Sequence, residues 1–256
     1  MRAHRTPNVT PMSSAVASAR THPGAPLRSR RTRAAHVARE RGEIDEVRAR
    51  RLLNALLRSL SLRDRATARH SAAVARYASE LAVATGASPS QQRLVHTAGL
   101  LHDIGKFILP DSILQTKRGL SATEWELVKR HPAASADIVS HLPGYGQVAR
   151  AILHHHERID GSGYPDNLRG NEIPWISRVI SVADAYDAMT GRDSYSRLRS
   201  VDDAVTELQR VAGTQLDARL VEGFIDVVGT RGVGFRHADD SDFEAELAVE
   251  HSFAAC

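Results

Sequence analysis

The chain has one cysteine, Cys256 at its last position, so no internal disulfide framework can form and a reducing compartment, the cytoplasm, is the expected setting. Aromatic residues make up only 5% of the 256 positions, which leaves packing to Leu, Ile, Val and Ala. No apolar run comes near the roughly 18 residues that a bilayer-crossing helix needs. Regular alternation of apolar and polar residues is missing too, and with it the usual mark of half-buried strands. What is left is an all-α expectation: a single helical bundle with disordered N- and C-terminal tails, long enough to fill one core.

Acid is also scarce, but only locally. The first 39 residues hold eight Arg and no Asp, Glu or Lys, which leaves 26 of the 34 basic residues to set against 30 acidic ones. The net charge of +4 is thus a property of the N-terminal arm, and the remainder is mildly acidic. Residues 1–42, rich in Arg, Ser, Ala, Thr and Pro, show no periodic apolar face and are expected to be disordered. The arm reads as a solvated tail, an organellar transit-type leader, or a basic segment that touches nucleic acid or anionic lipid. No apolar stretch follows Arg30-Arg31, so a secretory or twin-arginine signal is not expected.

Helical periodicity starts near residue 43 and runs to 229. Ile44, Val47, Leu52, Leu56 and Leu60 mark the apolar face of a first helix. A second is expected from Asp64 to Thr85, ended by Gly86, with His70, Val74, Tyr77 and Leu81 facing inward. Ser88-Pro89 opens a third, which runs into Leu100-Leu-His-Asp-Ile-Gly-Lys106, where Gly105 is expected to stop it. Ser121-Ala-Thr-Glu124 is a capping box, and His131-Pro132 should break the helix that follows it. Gly146 to Glu157 forms a further helix, and a Gly/Pro/Asn-rich loop spans Ile159 to Pro174. Helices over Trp175–Thr190, Val201–Val211 and Ala218–Val228 complete the core, with Ser200 and Asp217 as caps. Residues 230–256 are expected to fray as an acidic tail. Too few residues remain for a receiver or GGDEF domain, so any input would come through the tails or a partner.

Seven potential metal donors lie within or at the ends of these helices, on or beside apolar positions: His70, His102, Asp103, His131, His155, His156 and Asp184. Any one alone reads as a hydrogen-bonded core residue. Burying all seven without an ion would leave desolvation costs unmet, and metal binding would satisfy them. Lys106 follows one turn on, where its cation could face a bound anion.

The ordered motifs resemble the HD-GYP subgroup of the HD-domain phosphohydrolases, bacterial signalling enzymes that cleave cyclic di-GMP. The two eponymous signatures stand here as His102-Asp103 and Gly163-Tyr164-Pro165. Around them lie Thr67-Ala-Arg-His70-Ser, Leu101-His-Asp-Ile-Gly-Lys106, His131-Pro132, His155-His-Glu157 with Asp160-Gly-Ser-Gly-Tyr-Pro165, and Val182-Ala-Asp184-Ala-Tyr-Asp187-Ala-Met. The resemblance covers residues 64–228. It implies two divalent metal ions, iron or manganese, one held by His70, His102 and Asp184 and the other by His131, His155 and His156, with Asp103 bridging. A hydroxide held between the ions would attack phosphorus, with Lys106 and Asp103 as the catalytic pair. The expected product is linear pGpG, processed further to GMP in some readings. Gly163 and Tyr164 would meet the substrate, as would Lys106. His154 matches no family ligand and is expected to be exposed or to support the site from behind. Glu157 is expected to support the neighbouring ligands or to start the loop, and Asp187, one turn beyond Asp184, to support a ligand or to make a structural hydrogen bond. A diguanylate cyclase or other signalling protein and a second copy of the chain are candidate partners.

Two positions depart from the family pattern. Ala66 stands where some members carry a Glu for a third ion, so two ions are expected. Asp193-Ser-Tyr-Ser196 stands where the family commonly shows Arg-Pro-Tyr-Arg, leaving Arg192 and Arg197, one place away on either side, as the cations for the dinucleotide phosphates. This departure keeps two other readings open: a phosphohydrolase for another nucleotide or phosphate ester, and a regulatory module that binds a partner.

Overall fold

Asp64 begins the helix around which the others are arranged. Its Oδ1 accepts from the backbone N–H groups of Ala66 (3.0 Å) and Thr67 (3.2 Å), satisfying two of the donors a helix start leaves unpaired. The structure, a computed structural model, describes residues 47–49, 51–116, 118–191, 199–230 and 242–252. A first helix, α1, covers 47–49 and 51–63. After it come α2 (Arg65–Ala84), α3 (Pro89–Leu101), α4 (Asp111–Leu114), α5 (Ala122–Val128), α6 (His131–Ser140) and α7 (Gly146–Leu153). The series closes with α8 (Trp175–Thr190), α9 (Val201–Val211), α10 (Ala218–Thr230) and α11 (Phe243–Ser252). Short 3-10 turns occupy Ile104–Ile108 and Gly170–Glu172. The described residues contain no strand, and none of their helices is long and apolar enough to cross a membrane.

α2 is buried on most of its circumference because its sequence is largely alanine: Ala68, Ala72, Ala73, Ala75, Ala78 and Ala82 all lie in the core. Small side chains let neighbouring axes come close, and α3, α8, α10 and α11 pack around it. α3 comes close to α2 at Gly99 and Ala75, where a β-carbon on Gly99 would lie 2.7 Å from the Ala75 Cα. On the far side Tyr77, Tyr186 and Phe224 close the core edge to face, with ring centroids 5.1–5.9 Å apart.

The Ser121 capping box, the break before His131 and the caps at Ser200 and Asp217 all form. Four expectations are corrected. The buried face of α1 is Ala49, Leu53, Leu57 and Leu60, whereas Val47 and Leu52 are exposed; the four-residue spacing of the first three follows the helix better than the uneven steps from Val47 to Leu52 and Leu56. Gly105 does not stop α3, which ends at Leu101; it lies inside the following 3-10 turn, pressed against the His131 carbonyl and the Ser135 N–H. α7 ends at Leu153, short of Glu157, with His154 as its cap. The C-terminal tail does not fray throughout, since α11 buries Phe243 and Leu247 and its Glu246 lies 2.8 Å from the buried His96 of α3. The N-terminal arm lies outside the described residues.

The Gly99–Ala75 contact gives a direct test of this packing. Gly99→Ala should destabilise the protein by about 1–3 kcal/mol through overpacking, read as a lower melting temperature. Ala at the exposed Gly119, where a β-carbon meets nothing within 4 Å, is the control.

Candidate metal centre

Five separate elements each bring donors to one place. His70 comes from α2, His102 and Asp103 from the end of α3, His131 from the first residue of α6, His155 and His156 from the turn after α7, and Asp184 from α8. Three of the histidines share one local device. His102, His131 and His155 each direct Nδ1 at the carbonyl oxygen three residues back, of Gly99 (2.8 Å), Val128 (2.7 Å) and Ile152 (2.6 Å). Those carbonyls belong to the last turns of α3, α5 and α7, where the i→i+4 partners run out; the Ile152 oxygen also accepts from the His154 and His155 backbone N–H groups. The tautomer that satisfies these contacts protonates Nδ1 and leaves Nε2 with a lone pair.

His102 Nε2, His131 Nε2 and His155 Nε2 are all buried with no hydrogen-bond partner among the described residues, and the buried Asp103 Oδ2 lies 2.6 Å from the Lys106 ammonium. Buried polar atoms are rarely left this way, and three imidazole nitrogens in one cluster beside a carboxylate is the arrangement expected of a ligand set for a cation. Donor atoms of His70, His102 and Asp184 lie within 4.8 Å of one another, as do those of His131, His155 and His156. A third group, His102, Asp103 and His155, overlaps both. Asp103 faces each set with a different oxygen: Oδ1 is 3.2 Å from His131 Nε2, and Oδ2 is 3.4 Å from His102 Nε2 and 3.7 Å from His70 Nε2. With the tautomers above, the His102 and His131 contacts set an imidazole lone pair against a carboxylate oxygen, a pairing that a cation between them would make favourable. Nitrogen and carboxylate donors in this mixture fit a divalent transition-metal ion.

The electrostatics follow from burial and from the crowding of these groups. Burial pushes His102 and His155 below the usual imidazole range and lowers His156 to about 3, so all three stay neutral. Burial alone would also lower His70. Its hydrogen bonds to Asp184 (3.1 Å from Nε2) and Asp187 (2.6 Å from Nδ1) outweigh that and raise it to about 10. Burial would raise Asp103 and Asp184, but Lys106 and the histidines around Asp103, and His70 beside Asp184, hold both carboxyls well below their ordinary range. A proton on His70 thus sits where a cation would otherwise bind.

The other predicted residues divide. Lys106 places Nζ 2.6 Å from Asp103 Oδ2. Tyr164 stacks on His156 with ring centroids 5.0 Å apart, and burial together with Asp184 and Asp103 raises its hydroxyl pKa, keeping the proton on. Gly163 is pressed against the backbone of Glu157 and Arg158, leaving no room for a side chain. His154 is buried, and points Nε2 at Asp166 (2.9 Å) rather than at the donors. Glu157 reaches into the loop and does not touch the adjacent ligands. Asp187 supports a donor from behind, its Oδ2 lying 2.6 Å from His70 Nδ1. Arg192, Arg197 and the segment Asp193–Ser196 lie outside the described residues. Ser135 was not anticipated: its buried hydroxyl donates to the His102 carbonyl (2.7 Å) and accepts from the Gly105 N–H (2.8 Å), tying the His102-Asp103 turn to α6. A lone Ser four residues after His131 carries no signal that would have singled it out.

A family model described as "HD domain" matches residues 54–220. The chain is similar to "Cyclic di-GMP phosphodiesterase response regulator RpfG" of Xanthomonas campestris pv. campestris (strain 8004), 35% identical over 185 residues, covering 72% of this chain and 49% of that protein. It is also similar to "3'3'-cGAMP-specific phosphodiesterase 2" of Vibrio cholerae serotype O1, 34% identical over 68% of this chain and 34% of that protein. Among solved structures, an HDG"Y"P protein from Bdellovibrio bacteriovorus superposes with a TM-score of 0.54 at 24% identity, covering 62% of this chain and 51% of its own, a likeness of fold. The chain therefore spans about half the length, or less, of the curated relatives it matches.

The pH dependence of the metal-free protein should carry the signature of this cluster. His70 is raised from 6.5 to about 10, so its contribution is full below 6.5, declines through the window between, and is gone above 10. His102, His155 and His156 are lowered, so they contribute in the opposite sense and stability falls as pH drops below 6.5. The melting temperature without metal should therefore peak near pH 6.5 and decline on both sides. Added manganese should raise it more at pH 9 than at pH 6, because it replaces the His70 proton. A metal increment that is the same at both pH values contradicts this reading.

Proposed function

This chain belongs to the HD-domain family, and from that premise we propose that it is a metal-dependent phosphodiesterase that opens a cyclic dinucleotide, cyclic di-GMP, to linear pGpG. One observation carries the reading: three buried imidazole nitrogens without partners converge with Asp103, His70, His156 and Asp184. His70, His102 and Asp184 would hold one divalent ion, and His131, His155 and His156 a second, with one Asp103 oxygen toward each. Iron or manganese suits this nitrogen-rich set. The chemistry such ions supply is a water nucleophile at neutral pH and charge neutralisation on the phosphoryl oxygens.

The chain's own residues do the rest. Asp187 holds the His70 ring through Nδ1 and so directs Nε2 inward. The Gly99, Val128 and Ile152 carbonyls orient three more imidazoles without competing for Nε2. Lys106 keeps an ammonium group beside Asp103, where it offsets charge that builds on the phosphoryl group and offers a proton to the departing 3′ oxygen. Tyr164, held protonated, offers its hydroxyl as a donor to a phosphoryl oxygen and its ring face to a guanine.

The names of the Xanthomonas and Vibrio relatives support cyclic dinucleotides as the substrate class, and they point to two members of it. Asp193-Ser-Tyr-Ser196, where the family commonly has cations for the dinucleotide phosphates, does not separate the two, since both carry the same pair of phosphodiesters. Metal-loaded protein should convert one of the two to a linear dinucleotide, with further cleavage to mononucleotide read on the same chromatogram. His102→Ala with Asp103→Ala should lower the rate by at least about 100-fold, as should chelation, with manganese or iron restoring activity only to the unmutated chain. Turnover that survives chelation, or that is equal in the double variant, overturns the proposal.

A further inference from the structure

His155 and His156 are offered to the metal centre, but the residues on either side of them, His154 and Glu157, turn the other way. Glu157 is 3% exposed, and burying a carboxylate is costly unless charge-assisted hydrogen bonds compensate. It finds them in the loop ahead: Oε1 accepts from the Asp166 N–H (2.6 Å) and Oε2 from the Leu168 N–H (3.1 Å). His154 has Nδ1 3.0 Å from the Arg150 carbonyl and Nε2 2.9 Å from the Asp166 carboxylate, two acceptors that are both satisfied only when both ring nitrogens carry a proton. Asp166 is thus gripped at backbone and side chain together. A third tie joins the His156 carbonyl to the Tyr164 N–H (3.3 Å), and the missing side chain at Gly163 lets the loop lie directly on Glu157.

We infer that Glu157 and His154 are positioning residues that clamp the 163–168 loop through Asp166 and so set Tyr164 against His156. This rests on the function proposed above, because Tyr164 matters only if a substrate enters beside His156. The clamp explains why a carboxylate follows the histidine pair without serving the metal. Its two oxygens match two backbone donors, a bidentate arrangement that an amide, with one oxygen, can meet only in half. Loss of the clamp would leave all seven metal donors in place while releasing the wall that meets the nucleotide. The consequence is selective. A cyclic dinucleotide, large enough to reach Tyr164, should suffer, and a small diester that needs only the metal centre should not.

Glu157→Ala and the isosteric Glu157→Gln, in the full chain loaded with manganese, test this through three readings. Hydrogen exchange over residues 163–168 should speed up by about tenfold or more in Glu157→Ala and less in Glu157→Gln. Metal content should stay at the unmutated level. The kcat/KM for cyclic di-GMP should fall by about 10–100-fold in Glu157→Ala, with Glu157→Gln between, while hydrolysis of bis(4-nitrophenyl) phosphate stays within about twofold. Unchanged exchange overturns the clamp, as does an equal loss on both substrates accompanied by metal loss, which would make Glu157 a support of the ligands or of the fold. If Glu157→Ala does not fold, Glu157→Gln carries the same readings. If the unmutated chain opens no cyclic dinucleotide, the proposed function falls, while exchange and metal content still decide whether the clamp exists.

Discussion

Three backbone carbonyl groups at helix ends govern the centre of this protein. A helix leaves its last four carbonyls without internal partners, and here those of Gly99, Val128 and Ile152 are taken by imidazoles three residues further on. Each contact fixes a ring and commits Nδ1, so the opposite nitrogen has to point away from its helix. The packing of α3 and α6 on α7 brings these nitrogens together in a buried interior. An unsatisfied buried acceptor costs about 1–3 kcal/mol. The fold thus carries a standing cost at one point, and a cation would relieve it.

Close backbone approach is what makes the convergence possible. Gly99 lets α3 lie on Ala75 of α2, five residues along from His70. Gly105 lets the turn after Asp103 lie on the start of α6, where Ser135 joins the two strands of chain by donating to one and accepting from the other. Gly163 does the same for the loop that carries Tyr164. Each of these glycines sits within five residues of a proposed ligand or of the aromatic beside one, and each is a place where a β-carbon would force the donors apart. The alanine-rich α2 extends the same principle over a whole helix.

The donors themselves were legible because histidine and aspartate at helix ends, in ordered motifs, are rare enough to notice. Helix existence was legible from periodicity, down to the capping box at Ser121 and the break before His131. What periodicity could not give was where each helix ends to within a residue, and the i−3 carbonyl contacts depend on that. Periodicity carries α7 on to Glu157, which would keep the Ile152 carbonyl inside a helix, whereas the helix ends at Leu153 and that carbonyl is reached by the His155 ring. The uneven spacing of the leucines in α1 misplaced its face by one position, and α11 was hidden by the acidity around Phe243 and Leu247. Glu157 and Ser135 were illegible for another reason: their partners lie 9–33 residues away and are mostly backbone groups, which have no residue type to recognise.

The central claim is that the seven donors form two adjoining cation sites that share Asp103. Metal stoichiometry on anaerobically purified protein, measured by mass spectrometry alongside single-ligand variants, tests it most directly. The account predicts about two transition-metal ions per chain, falling to about one in His131→Ala, with the ion at His70, His102 and Asp184 retained. A chain that purifies with no transition metal, takes up none when supplied with manganese or iron, and matches its His131→Ala variant in this respect would contradict it.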